Sequence, residues 1–129
     1  MNKKLNFYKD LSKTQRLVYG NGCGPSFFCI DKIIPEFEWN LACREHDFYY
    51  DCGGTSDDRD WADQNFRTRM KRQLEKHGNQ LQKVLLMPLV EVYYQAVKHG
   101  GVHAFDYGPY ITLKALITKA EKKYGIKLK

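Results

Sequence analysis

Cys43-Arg44-Glu45-His46-Asp47-Phe48-Tyr49-Tyr50 is the stretch that decides how this chain is read. Wound as a helix, it places Cys43, His46 and Tyr50 on one face and turns Asp47 about 100° away from His46. The imidazole can then meet a group on a neighbouring helix while the Asp47 carboxylate serves a separate site beside it. That arrangement suits a proton-accepting base next to a metal ion. Taken singly, a histidine on an apolar helix face is ordinarily a satisfied core residue and an adjacent aspartate a solvated charge, so the reading depends on what surrounds the pair.

Two neighbouring segments supply that context. A second helix is expected to begin at Ser56, with Asp57 and Asp58 in a first turn that favours negative charge. Its apolar stripe runs through Phe66, Met70 and Leu74, and Asp63 lies on the same stripe. A carboxylate aimed into a core requires a partner, because an unpaired charge there is strongly destabilising. His46 is the candidate. Upstream, Gly22-Cys23-Gly24-Pro25-Ser26 cannot continue a helix and can turn backbone carbonyls inward, although alone it reads as a turn. Calcium takes its oxygen ligands from carboxylates, carbonyls and water, so such a loop brought against Asp47 has the donors that ion needs.

Together, the C-x-x-H-D-x-x-Y run at Cys43, His46, Asp47 and Tyr50, the Gly-Cys-Gly-Pro loop and the later Ala62-Asp63-Gln64-Asn65-Phe66 resemble the secreted phospholipase A2 superfamily over roughly residues 19–74. Four cysteines, and Ala42 where the animal enzymes carry a further cysteine, make the chain most similar to the small bacterial and fungal branch. The resemblance implies an all-α fold with two antiparallel, disulfide-linked catalytic helices and a calcium loop. It makes His46 the general base, Asp63 the carboxylate that orients its imidazole, and Tyr50 the hydroxyl that holds Asp63. Asp47 would be the side-chain calcium ligand, joined by the carbonyls of Gly22, Gly24 and Ser26, and the Gly24 amide would face the developing oxyanion. Ser26 stands where many relatives have glycine, which leaves a carbonyl ligand possible but changes the backbone preference. The implied reaction is calcium-dependent hydrolysis of the sn-2 ester of a glycerophospholipid, in which His46 activates water and no nucleophilic serine is used.

The rest of the sequence sets bounds on that reading. A chain of 129 residues with 43% hydrophobic content can form one domain, expected over 1–129, with a modest core. No apolar run approaches the roughly 20 residues of a membrane helix. Leu81, Val84, Leu85, Pro88, Leu89, Val92 and Ala96 recur at helical spacing and predict a helix over 79–98, kinked near Pro88 and packed by that stripe. Leu113, Leu116, Ile117, Ala120 and Tyr124 predict a last helix after the Tyr107-Gly108-Pro109 turn. His77 and His99 precede glycines at helix ends, where an imidazole complements the dipole, and His103 falls in a loop. Phe27, Phe28 and Trp39 are candidates for an apolar mouth or, equally, for core packing.

The net charge of +6 suits an anionic phospholipid surface as partner, and no nucleic-acid motif accompanies the basic balance. A monomer is expected. Four cysteines within 23–52 read as a disulfide framework with three possible connectivities. The resemblance favours Cys23–Cys43 and Cys29–Cys52. A zinc module using Cys23, Cys29, Cys43, His46 and Cys52 is the competing account, but it lacks paired C-x-x-C spacing and leaves Asp47 and Asp63 without a role. Disulfides point to a secreted or extracellularly delivered protein, yet the start Met-Asn-Lys-Lys-Leu-Asn shows no signal peptide. A non-catalytic membrane- or receptor-binding toxin on the same scaffold is the other functional class, and the joint presence of His46, Asp47, Tyr50 and Asp63 favours the enzyme.

Overall fold

The structure, a computed structural model, describes residues 8, 10–20, 39–108 and 112–128, with position 103 described by its backbone alone. In chain order the helices are α1 (Lys13–Val18), α2 (Trp39–Cys52), α3 (Ser56–His77), α4 (Gln80–Gly100) and α5 (Leu113–Tyr124), with a 3-10 turn at Gly101–His103 between the last two. Among the described residues the architecture is all-α, and extended pairing is limited to an isolated parallel bridge between Gly54 and Tyr107. The loop at Gly22, Cys23, Gly24 and Ser26 lies outside the described residues, as do Phe27, Phe28, Cys29 and Pro109.

Local chemistry accounts for the helix starts. Thr55, one residue before the expected start, caps α3: its hydroxyl accepts the Asp58 amide while the Asp58 carboxylate accepts the Thr55 amide. Asn79 and Gln82 form the same reciprocal box on α4. Each box satisfies amides that a helix end otherwise leaves unpaired, and losing a cap costs about 1 kcal/mol. A connection of three residues, 53–55, separates α2 from α3. The two helices pack antiparallel, as the successive contacts Tyr50 to Asp63, Glu45 to Arg69 and Trp39 to Met70 record.

The core falls into two clusters. One gathers Leu11, Tyr19, Phe48, Tyr49, Tyr50, Ala62, Phe105, Leu116 and Ala120, and joins the C-terminal half of α2 to α5. The other gathers Trp39, Ala42, Cys43, Phe66, Met70, Leu74, Val90 and Tyr93, and joins the N-terminal half of α2 to α3 and α4. Both divide α2 and α3 in the same place, between residues 43 and 48 on one helix and 62 and 66 on the other. Trp39 is fully buried, its ring 5.5 Å from Tyr93 and its Nε1–H donated to the Met70 carbonyl at 3.2 Å. It is therefore a core residue and does not form part of an apolar mouth.

α4 also departs from expectation. Leu81, Val84, Leu85 and Val92 are half to two-thirds exposed, and Pro88 and Ala96 are exposed beside them. The face that packs carries Leu86, Met87, Leu89, Val90, Tyr93 and Val97 instead. This helix is apolar nearly all round, so periodicity finds a stripe on either side, and the contacts with α3 determine which one is buried. The helix runs on through Pro88. α5 behaves as expected, with Leu116 and Ala120 buried and Leu113, Ile117 and Tyr124 packed around them.

Candidate active site

α2 and α3 bring His46, Tyr50 and Asp63 to one point. His46 Nε2 lies 2.7 Å from Asp63 Oδ1, and the Tyr50 hydroxyl donates to the same oxygen at 2.7 Å. Asp63 is 1% exposed and His46 7%, so the pair is buried. Asp63 Oδ2 is buried and receives no hydrogen bond from the described residues. With Nε2 donating its proton to the carboxylate, Nδ1 keeps its lone pair as a proton acceptor. The Tyr50 and Phe66 rings lie 4.1 and 5.0 Å from the imidazole and restrict its orientation. Burial, together with the hydrogen bond to Asp63, pushes the Tyr50 phenol well above its ordinary range, so it stays protonated and remains a donor.

The far side of Tyr50 is held by a residue the sequence reading passed over. A Cβ on Gly101 would collide with the Tyr50 hydroxyl, so the turn after α4 closes on the ring only because residue 101 has no side chain. Hydrogen bonds from the Asp106 amide to the Tyr50 carbonyl at 3.3 Å and from the Gly54 amide to the Asp106 carbonyl at 3.2 Å fix that turn to the end of α2. In the sequence, Gly101 signals the end of a helix and gives no sign of its contact with Tyr50.

Asp47 lies on α2 beside Gly20, the last described residue before position 39. Gly20 adopts a left-handed φ of 76°, and a Cβ there would press into the Asp47 side chain, 2.8 Å from its Cβ. Arg44 binds the same point from the same helix, donating from one guanidinium nitrogen to the carbonyls of Tyr19 at 3.0 Å and Gly20 at 2.9 Å. The described backbone is thus held against the Asp47 side chain as far as Gly20, and Gly22, Gly24 and Ser26 lie outside the described residues. Among the described residues no group of three or more His, Cys, Asp or Glu is placed to hold a metal, and Cys23 and Cys29 of the zinc module lie outside them.

Two further buried carboxylates were not anticipated. Asp51, 2% exposed, accepts from Tyr19 and Tyr124 at 2.8 Å each and from Lys123 at 2.7 Å. Glu45, 4% exposed, accepts from Tyr49 at 3.2 Å and Arg69 at 3.1 Å. A cavity of about 290 Å³ opens beside Glu45, lined also by Tyr8, Arg16, Ala42, Arg69 and Gln73 and not by His46 or Asp63. Both carboxylates serve as structural anchors of α2, and neither approaches the His46 pair. Compared with known proteins, the chain matches no family model, no curated protein and no solved structure.

Proposed function

We propose that this chain is a calcium-dependent hydrolase of the phospholipase A2 type, cleaving the sn-2 ester of glycerophospholipids at a membrane surface. The observation that carries the reading is the His46 Nε2 to Asp63 Oδ1 contact of 2.7 Å, with Tyr50 on the same oxygen. This geometry leaves Nδ1 of His46 to take a proton from water as that water attacks the ester carbonyl, and to return it to the leaving alkoxide. Asp63 orients the ring and offsets the charge the imidazolium gains, and Tyr50 holds Asp63. Asp47, with the carbonyls of Gly22, Gly24 and Ser26, would hold calcium, whose positive charge, together with the Gly24 amide, would favour an oxyanion. Disulfides Cys23–Cys43 and Cys29–Cys52, and an extracellular place of action, belong to the same proposal.

The test is fatty-acid release from mixed phospholipid vesicles, with calcium or with chelator. Release that needs calcium, falls by about 10²- to 10⁴-fold in His46→Gln and is lost in Asp47→Asn is the expected result. His46→Gln turning over like the parent, or activity that survives strong chelation, would remove the mechanism.

A further inference from the structure

The outward face of α4 has no structural task within the described fold. Leu81 is 67% exposed, Val84 and Leu85 are 62% exposed and Val92 is 50% exposed. With Pro88 and Ala96 they form one stripe at helical spacing along the solvent side of the helix. At about 220 Å² the strip is smaller than the patches whose size alone marks a contact, and the charge around it decides what it suits.

Its surroundings identify the chemistry of that contact. Residues 66–100, the second half of α3 with α4, hold seven Lys and Arg against two Glu, which is most of the chain's net charge of +6. Three of the seven are already committed, Arg67 at 2.6 Å and Lys71 at 3.3 Å to Glu91 and Arg69 at 3.1 Å to Glu45 of α2, which leaves Arg72, Lys76, Lys83 and Lys98 against Glu75. Size weighs against a second copy of the chain. From Leu81 to Ala96 the helix is about 22 Å long and roughly 10 Å wide, so the stripe offers about 220 Å², against the roughly 800 Å² per partner of a stable protein interface. A lipid surface requires no matching area, and it receives aliphatic side chains and lysines together.

We propose that the Leu81, Val84, Leu85, Pro88, Val92 stripe of α4 is the surface by which this protein docks on anionic phospholipid bilayers. The choice of partner rests on the lipid-directed reading above, whereas the choice of surface rests on exposure and charge alone. Docked there, the aliphatic stripe enters the interfacial layer and the basic residues of the α3–α4 hairpin face the lipid phosphates. The helix does not cross the bilayer, consistent with the absence, among the described residues, of any helix long and apolar enough to span one.

Co-sedimentation of the full chain with vesicles, in calcium chelator so that no lipid is cleaved, tests the proposal. The parent should bind vesicles of equal parts phosphatidylcholine and phosphatidylglycerol and bind phosphatidylcholine alone weakly. Val84→Ser with Leu85→Ser, a double change on the exposed face that keeps the helical circular dichroism, should lower partitioning by roughly tenfold. Leu17→Ser, at an apolar site on α1 that is 49% exposed, should bind like the parent. Unchanged partitioning of the double variant, or an equal loss in Leu17→Ser, overturns the proposal. It is also overturned if sedimentation velocity shows a parent dimer that the double variant converts to monomer, since the stripe would then serve a second copy. Binding that follows the stripe while restored calcium yields no fatty acid supports the docking surface and defeats the hydrolase reading alone.

Discussion

Asp63 directs a single oxygen at two donors, His46 and Tyr50, and leaves the other buried without a partner among the described residues. Both donors therefore compete for one position, and a small displacement of Tyr50 changes the hydrogen bond that orients the imidazole. Gly101 makes this testable from outside the pair. In Gly101→Ala the new methyl must push the Tyr50 hydroxyl away from Asp63, at about 1–2 kcal/mol in stability. Fatty-acid release should fall with it while calcium affinity stays unchanged. Gly100→Ala is the control, because a Cβ at that neighbour meets nothing within 4 Å. Equal effects of the two changes in thermal unfolding and in turnover would show that Tyr50 is not held in this way. Helical spacing made the pairing of His46 with Asp63 legible because it fixes which residues share a face, while the role of Tyr50 on Asp63 was legible only through the resemblance. Gly101 was not legible, since its role depends on where a turn some fifty residues further along the chain comes to rest, which local periodicity does not encode.

The elements are joined by carboxylates as much as by apolar contact. Asp51 ties α2 to the end of α1 through Tyr19 and to α5 through Lys123 and Tyr124, so three donors converge on a group that is 2% exposed. Replacing it with Asn removes the charge those donors answer to and should destabilise the protein by about 2–3 kcal/mol, measured by denaturant unfolding. A loss below 0.5 kcal/mol would mean the network adds little, as happens with ion pairs in open solvent (about 0–1 kcal/mol). Glu91 is such an exposed case, gripped by Arg67 through two hydrogen bonds and by Lys71. The hydrogen bond from Arg67 holds its carboxyl below its ordinary 4.5, so its contribution is present above that pH and lost as acidification passes through the lower folded value. After allowance for solvent screening, Glu91→Gln should cost about 0.5 kcal/mol at neutral pH. The gap from the parent in urea titrations should close in acid below 4.5. A gap that widens on acidification would contradict this sign. Neither carboxylate stood out in the sequence, where Asp51 and Glu91 look like solvated charges. α4 shows the same limit for apolar residues: a helix with aliphatic side chains on two faces has a readable period and an unreadable phase.

At the scale of the whole molecule, the boundary between the two core clusters runs across α2 and α3 at the positions of His46 and Asp63. The candidate site is thus also the joint through which α5 and the C-terminal half of α2 are coupled to α4. Such a joint has a signature in amide exchange. If the clusters melt as one unit, the amides of residues 46–50 should be as slow to exchange as those of Met70 and Leu116, which lie fully buried one in each cluster. Weakening the joint by Asp63→Asn should then split a single unfolding event into two, with the α5 side and the α3–α4 side opening at different denaturant concentrations. Exchange that is already fast at 46–50 in the parent would mean that the clusters open separately. The pair proposed to activate water would then have to reassemble with each closing, which makes the fraction of molecules competent to react at any instant a folding quantity and subjects turnover to the same denaturant dependence as the joint itself.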